Sequence, residues 1–220
     1  MKQASEIILR KLCERYPALS VCIGEIKRAA ETLCECYRKG GKLLVCGNGG
    51  SASDALHIVG ELMKSFVLPR RLDGATCAAI KACAGEDGEV LCNDLQGALP
   101  AIALVNETAL LTAYSNDVAP DTIFAQQVLG YGNEGDVLLG ISTSGNSRNV
   151  ILASEVARAK GLQVISLTGE GGGKLASLSN VTIAVPDRET YRVQELHLPV
   201  YHALCLILEE EFFGDSAEEN

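Results

Sequence analysis

Residues 134–150 read EGDVLLGISTSGNSRNV. The apolar run 137–141 does not alternate, which is the pattern of a strand buried on both faces of a parallel sheet. It passes straight into Ser142-Thr143-Ser144-Gly145-Asn146-Ser147, and a helix is predicted over 147–160. Four hydroxyls therefore meet where the N–H groups of a helix N-terminus point outward, a place that favours a phosphate dianion without fixed positive charge. Capping the helix would need only one of them.

The same unit recurs on either side. Upstream, the run 43–46 (LLVC) predicts a strand, the loop 46–54 (CGNGGSASD) turns, and a helix is predicted from Ser51 to about Phe66. Strands are also predicted at 101–104, 164–167 and 181–185, and helices at about 107–114 and 122–131. A long helix should run from about Tyr191 to Phe213. Two helices, 3–15 and about 20–38, precede the first strand and form an N-terminal arm over residues 1–39. Alternating strands and helices imply crossover connections and a doubly wound α/β sheet, with ligands outside the carboxyl ends of the strands. Both Gly- and Ser-containing loops fall there.

Residues 67–99 interrupt this order. Pro69, Arg70, Arg71, Asp73 and Gly74 lead into an Ala/Cys stretch that is too long for a plain connection. It is expected to hold a short helix of its own over the site or at an oligomer interface, or to be an indifferent surface insertion. The chain reads as one domain over 1–220, with a frayed acidic tail at 214–220.

Composition narrows the function. With 47% hydrophobic residues the 220-residue chain can bury a sizeable core. A net charge of −9 and the lack of Trp argue against nucleic acid, which needs clustered cations or stacking platforms. There is no signal-peptide pattern and no apolar run of membrane-spanning length. The nine cysteines are scattered without a CxxC pair, as expected of free thiols in a reducing cytoplasm.

The candidate chemistry rests on few residues. The Gly-rich loop lacks both the dinucleotide and the P-loop spacing, so alone it is equally a structural turn. Its Ser51 and Ser53 are placed to cap the helix or donate. His57 and Glu61 share a helix face, which suits a metal, acid/base work, or simply a hydrogen-bonded pair. The last helix adds Gln194, Glu195, His197 and His202, polar groups on an otherwise apolar element.

Together, CGNGGSASDALH (46–57), Asn116-Asp117, residues 134–150, Leu167-Thr168-Gly169 with Gly172-Gly173-Lys174, and RVQELHLPVYH (192–202) resemble the sugar isomerase (SIS) fold and, within it, the phosphoheptose isomerases. The resemblance implies a flavodoxin-like five-stranded parallel sheet flanked by helices, a homotetramer with active sites between subunits, and a sugar phosphate as substrate. It implies interconversion of sedoheptulose 7-phosphate and D-glycero-D-manno-heptose 7-phosphate through an enediol, with Glu61 and His202 as the acid/base pair. Asn48, Gly49, Gly50, Ser51, Asn116, Asp117 and Gln194 would contact the sugar, and Ser142, Thr143, Ser144 and Ser147 the phosphate. Zinc would be held by His57, Glu61, Gln194 and His202. Gln194 and His202 lie eight residues apart, about 12 Å along a straight helix, so one ion takes both only if side chains lean together or subunits share it. Two features depart from the family pattern: the long 67–99 segment, and Ser65 where a basic residue often stands, with Lys64, Arg70 or Arg71 as substitutes. Other readings are a SIS isomerase for another sugar phosphate and a non-catalytic protein binding a phosphosugar or a replication initiator. The latter lack the acid/base side chains that Glu61 and His202 provide here.

Overall fold

The computed structural model describes residues 1–214; the expected frayed tail beyond Gly214 lies outside the described residues. Five strands, β1 (Leu43–Gly47), β2 (Ala101–Ala103), β3 (Val137–Ser142), β4 (Gln163–Thr168) and β5 (Val181–Ala184), form one parallel sheet in the order β2-β1-β3-β4-β5. Register is continuous, with Leu43 opposite Val137 and Val137 opposite Gln163. Every residue of β1 and β3 is buried, as their unalternating apolar sequence requires.

Alternate side chains feed two cores. Leu43, Val45, Leu139 and Ile141 face one side, where helices α1 (Gln3–Arg15), α2 (Ile23–Arg38), α3 (Gly50–Met63) and α9 (Thr190–Phe213) pack. Leu44, Cys46, Leu138 and Val164 face the other, against α6 (Thr108–Asp117), α7 (Ile123–Tyr131) and α8 (Arg148–Ala159). The helix expected from about residue 20 instead begins as a 3-10 turn, Pro17–Cys22, which ends where α2 starts. Proline suits that first position because it needs no N–H partner.

The 67–99 segment folds into two helices rather than one, α4 (Gly74–Ala84) and α5 (Gly88–Asp94), joined by a short 3-10 turn. No residue of α4 is buried, and only Gly88 of α5 is. The segment is tied down at its ends. Gly97 N donates to Arg70 O at 2.7 Å and Leu99 N to Leu62 O at 2.9 Å. At its start Glu209 of α9 accepts from the N–H groups of Phe66, Val67 and Leu68 at 2.7–3.0 Å. Arg70 is 1% exposed and donates through Nε to Glu209 at 2.8 Å, and through Nη1 and Nη2 to the carbonyls of Leu62 and Glu61. Burial works to raise the Glu209 carboxyl, but these donors overcome it and hold it below the usual carboxylate range.

Candidate active site

The strand order reverses direction between β1 and β3, the switch point at which open α/β sheets bind ligands. The Gly-rich loop leaves β1 there and the Ser/Thr loop leaves β3. The two are bridged by a reciprocal amide pair: Asn48 and Asn149 each donate Nδ2 to the other's Oδ1 at 2.9 Å. Asn149, in the first turn of α8, was not foreseen from the sequence; its place two residues after Ser147 was the available signal.

In the Ser/Thr loop, Ser147 stands at the N-cap of α8 but makes no side-chain cap. Its Oγ lies 2.9 Å from Ser142 Oγ. Ser144 is exposed, and its Oγ accepts from Asn146 N at 3.2 Å. Thr143 is half-buried, and its carbonyl accepts from Gly169 N at 2.9 Å. Gly145 has φ +65°, and a Cβ there would sit 2.0 Å from the Gly172 carbonyl, so only glycine lets the β3 and β4 loops touch. The Ser142 and Ser147 hydroxyls are thus paired at the N-terminus of α8, which Ser147 does not cap, while Asn149 Oδ1 takes the Val150 N–H at 3.0 Å; the other first-turn N–H groups suit an anion.

At the other loop Gly49 is the N-cap of α3 and no side chain caps it. Of the two roles open to Ser51 and Ser53, neither caps α3; Ser51 lies inside the first turn and is 3% exposed, packed against Gly47. Asn48, Gly49 and Gly50 are exposed at the mouth. Gln194 packs directly on Gly50, where a Cβ would fall 2.5 Å from its Nε2.

Two turns further along α3, His57 and Glu61 meet, with Nε2 and Oε1 3.2 Å apart. Glu61 Oε2 accepts from Lys64 Nζ at 2.8 Å. Of the cations expected to substitute for the missing basic residue, Lys64 is therefore at the site, while Arg70 is locked away against Glu209. The His202 ring stands 5.0 Å from that of His57, edge to face. Burial and the neighbouring His57 both hold the His202 imidazole below its usual range, and its Nε2 is buried without a hydrogen-bond partner. Tyr201 and Asp54, neither anticipated, complete the cluster: Tyr201 Oη is 3.0 Å from His57 Nδ1 and donates to Asp54 Oδ1 at 3.3 Å. Burial raises the Asp54 carboxyl.

Three expected placements need correction. Asn116 and Asp117 end α6 exposed, with Asn116 Nδ2 on Asp117 Oδ1 at 2.9 Å, and no hydrogen bond joins them to either loop among the described residues. Gln194 sits beside Gly50, not with His57, Glu61 and His202, because α9 carries it about 12 Å from His202. Among the described residues no three His, Cys, Asp or Glu side chains converge as a metal-holding group. Of the residues expected to hold zinc, His57, Glu61 and His202 stand together, while Gln194 packs at Gly50. His197 is fully buried on α9, and burial drives it down to about 4, against a small opposing pull from the Thr168 backbone. It is a core histidine, outside the site.

The chain is similar to known proteins over most of its length. The SIS domain family matches residues 19–84 and 92–169. A phosphoheptose isomerase of Geobacter sp. (strain M21) is 42% identical over 209 residues, covering 93% of this chain and 94% of its own. One from Akkermansia muciniphila is 36% identical over 203 residues, covering 92% and 94%. The structure of phosphoheptose isomerase from Neisseria gonorrhoeae superposes with a TM-score of 0.71 at 35% identity, covering 94% of this chain and 96% of that one.

Proposed function

The chain belongs to the SIS domain family and, within it, to the phosphoheptose isomerases, and from that premise we propose that it interconverts sedoheptulose 7-phosphate and D-glycero-D-manno-heptose 7-phosphate. The observation that carries the reading is that Glu61 and His202, 141 positions apart in the chain, both stand against His57. Ser142, Thr143, Ser144 and Ser147 hold the phosphate, so binding energy at the far end of the sugar positions the reacting carbons.

The proton accounting is short. The Glu61 carboxylate takes a proton from C1 of the ketose. The electron pair moves to C1=C2, and the C2 oxygen takes a proton from His202, giving the enediol. His202 then recovers a proton from the C1 hydroxyl while C2 takes the proton held by Glu61, giving the aldose. Lys64 must leave Glu61 Oε2 for the carboxylate to act, which an exposed side chain does at little cost.

Assembly and metal belong to the same proposal. We place the site between subunits of a homotetramer, with Gln194 of one protomer completing the His57, Glu61 and His202 set of a neighbour around zinc. Support comes from the separation of Gln194 from the other three within one chain. Nine free thiols accord with a cytoplasmic protein. The test is a panel of C5 to C7 ketose phosphates, with and without zinc and with metal content measured on the same sample. Turnover of the heptose phosphate supports the reading. Turnover of a shorter sugar only moves it to another SIS isomerase, and binding without turnover makes the chain a phosphosugar-binding protein. Glu61→Gln is expected to lower kcat by at least 100-fold while leaving sugar-phosphate binding within a few-fold.

A further inference from the structure

Asp54 and Tyr201 touch the cluster without being part of its expected chemistry. Asp54 sits one turn before His57 on α3, and Tyr201, 2% exposed, precedes His202 on α9. The Tyr201 hydroxyl lies between His57 Nδ1 at 3.0 Å and Asp54 Oδ1 at 3.3 Å. That hydroxyl has one hydrogen to give. An ionised carboxylate only accepts, so the hydrogen goes to Asp54 and the phenol oxygen must accept from His57 Nδ1. The opposite arrangement, with Tyr201 donating to a bare Nδ1, leaves two oxygens facing each other with no hydrogen between them, which is costly at a phenol only 2% exposed. With Asp54 ionised, the Nδ1–H tautomer of His57 is the one that completes the Asp54–Tyr201–His57 chain.

We infer that Asp54 and Tyr201 are positioning residues that commit His57 to the form carrying hydrogen on Nδ1. The consequence falls on the other ring nitrogen. Nε2 faces Glu61 Oε1 at 3.2 Å, and with Nδ1 already occupied, a lone pair and a carboxylate oxygen oppose each other. Nε2 is thereby the ring nitrogen left to meet Glu61 and whatever Glu61 binds. The Asp54–Tyr201 pair thus fixes which His57 nitrogen serves Glu61 and how the carboxylate is aimed, whether the site works with a metal or without one. The T-shaped packing of His57 on Tyr201, with centroids 5.5 Å apart, holds the ring in that register. Partners of this kind typically change activity or ligand affinity by roughly 10- to 100-fold.

The kinetic part of the test rests on the isomerase reading; the spectroscopic part does not. The full chain is labelled with 15N-histidine, and the His57 resonances are assigned by comparison with His197 and His202 variants. The native protein is expected to carry its hydrogen on His57 Nδ1, read from the 15N chemical shifts of the two ring nitrogens. Tyr201→Phe, which keeps the ring packing, should lose that signature. Asp54→Asn should lose it too, since an amide can donate to the phenol and turn its hydrogen toward His57. Both variants should lower kcat by roughly 10- to 100-fold with KM little changed, since neither touches the phosphate loop. A native His57 with its hydrogen on Nε2 alone, or a Tyr201→Phe variant that keeps the Nδ1 hydrogen, overturns the inference. If the native protein turns over no sugar phosphate but the tautomer responds as described, the isomerase reading fails and this inference stands.

Discussion

Ser147 occupies the N-cap of α8 yet turns its hydroxyl to Ser142 at 2.9 Å. A cap is worth about 1 kcal/mol, and forgoing it leaves the Arg148 and Asn149 N–H groups for an anion, the Val150 N–H being taken by Asn149 Oδ1. Ser147→Ala is therefore expected to raise KM for the sugar phosphate about tenfold, the equivalent of one hydrogen bond to a charged group, while thermal unfolding changes little. Initial-rate kinetics with a melting curve separates the two effects. His197 gives a prediction in pH. Its folded value of about 4 lies below the unfolded value of about 6.5, so the neutral form is favoured by folding. The associated stability is fully present above about pH 6.5 and is lost as pH falls toward 4, up to about 3 kcal/mol. Urea unfolding at a series of pH values should show a shallower acid loss in His197→Leu. The hydroxyl cluster and the His57/Glu61 face were legible because local spacing places them. Tyr201 and Asp54 were not: each is a single residue beside a named candidate, and only packing of α9 on α3 reveals the hydroxyl between them.

At the scale of elements, the clamp between the 66–70 segment and α9 governs how the 67–99 insertion is mounted. Glu209 and Arg70 are both about 1% exposed, and neither has another charged partner to fall back on in the hydrogen bonds described. Glu209→Ala leaves a buried guanidinium and three backbone N–H groups without their acceptor. It is expected to destabilise the fold by roughly 3–5 kcal/mol, measured by urea denaturation. The Ala/Cys composition of the insertion announced a helix. That it forms two helices with almost no buried surface was hidden, because alanine fits a helix equally well on a core face or in solvent. The α9 helix continues through Pro199, where a sequence rule alone would break it. Burial of Val200, Tyr201, Leu204 and Leu208 on its long face outweighs the lost hydrogen bond.

For the whole molecule, the sheet order brings the β1 and β3 loops together, and the length of α3 and α9 then separates Gln194 from His202. On the proposed shared site, Gln194 of one chain works with Glu61 of another. Two variants, Gln194→Ala and Glu61→Gln, are each expected to be inactive alone. Coexpressed in one assembly, they should recover part of the native rate through hybrid sites, with a native mass by light scattering of four chains. A monomer, or no recovery in a mixed assembly, would remove the shared-site reading. Exposed apolar residues of the insertion, Val67, Val90, Leu91 and Leu95, show how much surface the lone chain leaves open.

The sequence by itself determined the α/β class, the parallel sheet, the strand-to-helix loops and the hydroxyl cluster, because each is written in a local period or in contiguous residues. Its resemblance to a family supplied the acid/base pair and the ligand set. The tertiary structure decided which of those residues meet. Helix rise is fixed at about 1.5 Å per residue, so packing α9 along α3 puts His202 on His57 and leaves Gln194 on Gly50, about two turns away.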